Sequence, residues 1–136
     1  MSQENVEAFK RALDAGNRRD LEALLEELDP EVEWHSVILA SLGGEATVYR
    51  GHEGVREMFR ELSEAFAEIH IETPAIRDLG DRIVATGRIR SRGTESGVET
   101  ESPFGYVAEL KSGKAIRVRA YLDPKEALEA AGLRDG

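Results

Sequence analysis

Hydrophobic positions recur along this chain first at helical spacing and then in alternation, with the change near Phe66. Val6, Phe9 and Leu13, with Ala12 beside them, predict a first helix that Ser2 can cap and that "AGN" (Ala15 to Asn17) closes with a glycine. Asp20 offers a second cap. Leu21, Leu24, Leu25 and Leu28 follow it at i, i+3, i+4 and i+7, and Asp29-Pro30 stops the run, so the two helices form a hairpin. "VEWHS" alternates and predicts a short strand with Val32, Trp34 and Ser36 on one face and Glu33 and His35 on the other. Val37 to Thr47 is expected to be a loop with two glycines at its centre. Val55, Met58, Phe59, Leu62 and Phe66 then make the strongest helical stripe in the chain, predicting a helix from about Glu53 to Phe66.

Beyond Phe66 the period is two. Ile69 and Ile71 mark a strand that Pro74 ends or places at an edge, and "LGDR" turns the chain. Ile83, Ala85, Gly87, Ile89 and Ser91 alternate with Val84, Thr86, Arg88, Arg90 and Arg92. "GTESG" makes a hairpin into a long strand from Val98 to Leu110. Setting opposite charges across that hairpin pairs Arg90 with Glu99 and Arg88 with Glu101, with Ile89 opposite Thr100. After the turn "KSGK", Ile116, Val118, Ala120 and Leu122 alternate with Arg117, Arg119 and Tyr121. Pro124 suits the first turn of a last short helix that Gly132 ends, and "LRDG" is expected to fray. The order is α-α-β-α-β-β-β-β-α, an α+β domain with helices over one face of a mostly antiparallel sheet.

The 136 residues fit one domain, 1–136, large enough to hold a core unaided. A net charge of −9 opposes nucleic-acid binding, which needs a basic face. With no cysteine, thiolate chemistry and cysteine metal sites are excluded. The longest uncharged stretch, "SVILASLGG", is far below the roughly 20 residues of a membrane span, and no signal peptide is apparent. The expectation is a cytoplasmic protein without membrane or nucleic-acid partners. No glycine-rich phosphate loop and no metal-ligand spacing such as HExxH occurs, so neither cofactor nor metal is expected.

The words "MSQENVEAFKRALDAGNRRDLEALLEELDPEVEWH", "YRGHEGVREMF", "LGDRIVATGR" and "KSGKAIRVRAYLD", in this order and over nearly the whole chain, resemble the SnoaL-like branch of the NTF2-like superfamily. The resemblance implies a cone in which a curved, mostly antiparallel sheet wraps a long helix, with an apolar pocket between sheet and helices and a homodimer formed through the sheet. It also implies a range of activities, since the family holds polyketide cyclases, ketosteroid isomerases, epoxide hydrolases and proteins that only bind; the fold alone does not choose among them. The tyrosine, base aspartate and protonated aspartic acid of the isomerases fall on Phe9, Trp34 and Gly105, none of which can do that chemistry. The aspartate of the cyclases falls on Ala120, and the epoxide hydrolases' relay of an arginine with two aspartates is not apparent.

Candidate chemistry rests on few residues. His35, beside Trp34, and Tyr106, with its hydroxyl, are the candidate proton-transfer or oxygen-polarising groups. Trp34, Tyr49, Phe59, Phe104 and Tyr106 are the candidate ligand-binding rings, because rings are scarce at 6% of the chain. Pro103 and Gly105 suggest a bulge that would decide which of Phe104 and Tyr106 points inward. His52 reads as turn and cap chemistry, His70 as solvated beside Glu68 and Glu72, Asp123 as a helix cap and Tyr121 as an outer-face residue. Two functions stay open: an isomerase, cyclase or hydrolase acting on a small apolar substrate, and a non-catalytic binder or dimeric interaction module with a vestigial pocket.

Overall fold

The computed structural model describes residues 2–42 and 46–133. Helix α1 (Ser2–Asn17) and helix α2 (Leu21–Glu26) lead into strand β1 (Leu28–Ser36), a 3-10 turn at Leu39–Leu42 and strand β2 (Thr47–Arg50). Helix α3 (Gly51–Ala65) precedes strands β3 (Phe66–Asp78), β4 (Arg82–Gly93), β5 (Glu99–Lys111) and β6 (Lys114–Tyr121), and helix α4 (Pro124–Ala130) follows them. The six strands form one curved, unclosed sheet in the order β2-β1-β6-β5-β4-β3, antiparallel except where β1 runs beside β6. This is the α+β arrangement expected, with one short strand added. The glycines expected at the loop centre and most of the "LRDG" terminus lie outside the described residues, as does the Ser2 side chain.

Local chemistry accounts for most boundaries. Asp20 caps α2 by accepting from the Ala23 N–H at 3.1 Å, and Asp123 caps α4 by accepting from the Lys125 N–H at 2.9 Å. Ser112 and Gly113, at φ of 53° and 79°, make the two-residue turn between β5 and β6. Gly16 does not terminate α1, which runs on to Asn17. The left-handed residue that breaks it is Arg19, at φ 59°. The α2 stripe is shorter than its leucines suggest, because Leu28 already belongs to β1, where it is buried. At the head of α3 the N-cap residue is Arg50, whose side chain makes no capping bond, and the His52 ring instead lies 3.1 Å from the Leu28 carbonyl.

Two apolar layers hold the sheet. Val55 and Met58 of α3, with Phe59 and Leu62 beside them, pack with α1 and α2 onto the concave face against Val32, Ala85, Tyr106 and Val118. On the opposite face Ala127 and Ala131 close over Val84 and Val107, so α4 sits outside the cone rather than with the other helices. That packing explains Gly105: a Cβ there would lie 2.9 Å from the Ala127 methyl.

The register corrects two details. The pairing of β4 with β5 is continuous, with Ile89 opposite Ser102, Arg90 opposite Glu101 and Arg92 opposite Glu99. The hairpin is therefore shifted by two residues from the charge-matched expectation. Gly93 remains in β4, its N–H donating to the Val98 carbonyl at 3.1 Å, and the turn is correspondingly further out. A shift of two preserves faces, and Arg88 still reaches Glu101 diagonally at 2.6 Å. No bulge occurs at Pro103 to Gly105, so Phe104 and Tyr106 both face inward. Pro103 is tolerated because β6 ends opposite Gly105, leaving β5 paired on one side only there. The bulge falls instead at Thr73 and Pro74 of the edge strand β3, between the pairs Glu72–Arg88 and Ala75–Thr86.

Candidate functional site

Between the concave face and helices α1 to α3 lies an apolar cavity of about 110 Å³. Alternation on β1 and β5 turns Trp34 and Tyr106 into it, helical spacing brings Phe9 from α1 and Phe59 and Leu62 from α3, and Ile71 closes it from β3. Tyr106 is the hub of the rings. Its centroid is 6.2 Å from Phe9, 6.3 Å from Trp34 and 5.0 Å from Phe104, each in edge-to-face geometry. Of the rings singled out from the sequence, Trp34, Phe59 and Tyr106 line the cavity. Phe104 does not: it is fully buried and backs the Tyr106 ring. Tyr49 is also elsewhere, 6% exposed, with its hydroxyl donating to Glu61 Oε1 at 2.5 Å. Burial and that carboxylate push its phenol up to about 12.

The Tyr106 hydroxyl has no hydrogen-bond partner among the described residues, although the residue is 7% exposed. Burial raises its pKa well above the ordinary tyrosine value, so at neutral pH it is a neutral donor. Ala120, where the cyclase aspartate would fall, gives the cavity only a methyl group. Phe9 and Trp34 give it rings, and Gly105 faces away, under α4. The one carboxylate in the lining, Glu27, is held in a two-pronged pair by Arg11 at 3.0 and 3.1 Å.

Polar residues that the sequence did not flag gather at the rim. The Asn17 side chain accepts from the Ile71 N–H at 2.9 Å and donates to the Ile71 carbonyl at 2.8 Å, tying the end of α1 to β3. Arg19 Nη2 donates to the Phe66 and Ala67 carbonyls at 3.2 and 3.1 Å, and Ser63 adds a hydroxyl from α3. A helix-ending "AGN" was the only trace of this rim in the sequence, and it read as a stop signal alone.

His35 lies on the outer face with Glu33, as strand alternation requires, and does not line the cavity. Its Nε2 is 2.6 Å from Glu33 Oε1, while Arg50 reaches Glu33 Oε2 at 2.6 Å. These two partners, His35 first, hold the Glu33 carboxyl below the usual carboxylate range. Arg117 joins the network at 3.6 Å from Glu33 and 3.1 Å from Glu109. His70 pairs with Glu72 at 3.2 Å on an exposed strand. Among the described residues no cluster of three or more histidine or acidic side chains is arranged to hold a metal ion, and no helix is long and apolar enough to cross a membrane.

A curved sheet wrapped on a helix, with an apolar cavity between them, defines an NTF2-like cone. The chain belongs to the SnoaL-like domain family, whose sequence profile matches residues 9–119. Among solved structures it is similar to an NTF2-like protein of unknown function from Burkholderia pseudomallei, at 25% identity over 93% of this chain and 95% of that one, with a TM-score of 0.79. It is also similar in fold to a SnoaL-like polyketide cyclase, so described, from Jannaschia sp. CCS1, at 21% identity over 96% and 90% of the two chains and a TM-score of 0.74. A ketosteroid isomerase-like fold from Catenulispora acidiphila, in complex with trimethylamine, matches at 11% identity over 93% of both chains and a TM-score of 0.75. No curated protein sequence matches the chain.

Proposed function

We propose that the protein binds a small, largely apolar molecule in the cone cavity, with the Tyr106 hydroxyl donating to an oxygen of that molecule. The observation that supports this reading is a hydroxyl without a hydrogen-bond partner among the described residues, on a ring that lines a largely apolar cavity. A ligand oxygen accepting from this hydroxyl would contribute roughly 0.5–1.5 kcal/mol. The lining favours binding over isomerisation or cyclisation. Tyr106 supplies a neutral donor, but Glu27 is committed to Arg11, and the positions where relatives are expected to carry acids are Trp34, Gly105 and Ala120. Indan-1-one and indane separate the oxygen from the hydrocarbon. The ketone is expected to bind the native protein about five- to tenfold more tightly by calorimetry, in line with one neutral hydrogen bond. Tyr106→Phe should erase that advantage without lowering thermal stability. Equal affinities for both compounds in the native protein would remove the assignment.

The same reading pairs two copies through the outer face of β1, β6 and β5. Supporting it, that face carries Glu33 and Glu109 beside Arg117 and Arg119, so a two-fold axis can oppose acidic and basic groups of the two copies. Light scattering at high micromolar concentration should report a dimer; a monomer's mass would rule this pairing out.

A further inference from the structure

We infer that the ligand of this cavity carries a carboxylate, which Arg19 holds at the mouth; the inference rests on the cavity being a ligand site. The location of the mouth follows from the shape of the molecule. The apolar cavity and a larger surface groove of about 720 Å³ share Asn17, Arg19 and Ile69, so the enclosed space opens to solvent at the end of α1. Arg19 is exposed there and stands in the left-handed region at φ 59°, where a residue with a Cβ is strained.

The other arginines at this opening are paired. Arg18 is paired with Asp14 at 2.8 Å and Asp20 at 3.4 Å, Arg92 with Glu68 at 3.1 Å, and Arg90 with Glu72 at 3.6 Å. Arg19 has no ion pair among the described residues. Only its Nη2 is engaged, on the two carbonyls where α3 passes into β3; Nε and Nη1 donate to nothing described. That leaves Nε and Nη1 as separate single donors, with the cation fixed in place by the bonds that Nη2 makes. A carboxylate oxygen can accept from either donor, and its charge complements that of the guanidinium. The other polar groups of the rim do not compete, since Asn17 is spent on both polar groups of Ile71 and Glu27 on Arg11. A single anionic group suits the site better than a polyanion, because the chain as a whole carries −9 and the other arginines of the groove, Arg18, Arg90 and Arg92, already have carboxylate partners. The ligand class is therefore a monocarboxylic acid with a compact apolar body: the body enters the cavity and the head stays at the rim.

The probes are 3-phenylpropanoate and its neutral counterpart 3-phenylpropan-1-ol, titrated at pH 7 and low salt while following the fluorescence of Trp34, the sole tryptophan and part of the lining. The acid is expected to bind the native protein about tenfold more tightly than the alcohol, as one charge-assisted pair provides. That ratio should shrink with added salt. Arg19→Gln should bring it to near one, and Arg19→Lys should restore part of it. If the alcohol binds and the acid binds no better, or if Arg19→Gln keeps the preference, the inference falls while the cavity reading stands. If neither probe binds the native protein, both fall. The comparison on the native protein decides even if Arg19→Gln proves unstable through loss of its bonds to Phe66 and Ala67.

Discussion

Alanine at position 87 is expected to destabilise the protein by about 3 kcal/mol, the upper part of the range for forcing an extra carbon into a packed site. Gly87 lies in β4 directly beneath the bulge of β3. A Cβ there would stand 1.8 Å from the Glu72 carbonyl oxygen and 2.8 Å from both the Glu72 carbonyl carbon and the Thr73 Cα. All three atoms are backbone, so no side-chain rotation relieves the overlap; the edge strand itself must lift. Thr73 is nearly buried, and lifting the strand would pull it from the interface and loosen β3 along the side that Asn17 secures. Gly16→Ala is the contrasting control, since a Cβ there meets nothing within 4 Å and the position is helical. It should raise stability by up to about 1 kcal/mol. Urea unfolding of both variants checks the pair, and a Gly87→Ala midpoint equal to that of the native protein would show that the bulge does not press on β4.

That bulge marks where the sequence stops being legible. Helices α1 and α3 and the strands from β3 to β6 announce themselves by period, and Asp20 and Asp123 by their place before helical runs, because these signals are local. Strand β2 spans four residues and exists only by pairing with β1 at Trp34–Tyr49 and its neighbours, so no local pattern encodes it. Alternation sets which face a residue occupies but not how far one strand slides along another, which is why the faces at the hairpin end of β4 and β5 came out right and their register two residues off. The parity of β5 around Pro103 to Gly105 stayed open until the continuous pairing fixed it. An amphipathic α4 needs an apolar surface, and both faces of the sheet offer one; Val84 and Val107 decide for the outer one. The site divides in the same way. Scarce rings mark Trp34, Phe59 and Tyr106, whereas Arg19 and Asn17 reach the rim only through the way α1 ends against β3.

Phe104→Ala is expected to cost about 3–5 kcal/mol, a substantial part of the 5–15 kcal/mol that holds a domain of this size together. Phe104 is 0% exposed, and its ring meets the edge of Tyr106 at 5.0 Å and 87°, two residues along the same face of β5. Deleting the ring removes its transfer free energy and leaves a void that the strand cannot close, because Gly105 between them is pressed against Ala127 on the other side. The consequence also reaches the cavity. Tyr106 is fixed by Phe104 on one side and by Phe9 and Trp34 on the others, so losing the first frees the hydroxyl from a single orientation. Affinity for indan-1-one should therefore fall in Phe104→Ala even though Phe104 does not line the cavity, while affinity for indane changes less. Denaturant titration reads the first effect and calorimetry the second. A variant that lost stability but kept the full preference for the ketone would show that the ring supports the core without orienting Tyr106. In that case the orientation of the hydroxyl would have to come from Phe9 and Trp34, its two ring neighbours that line the cavity.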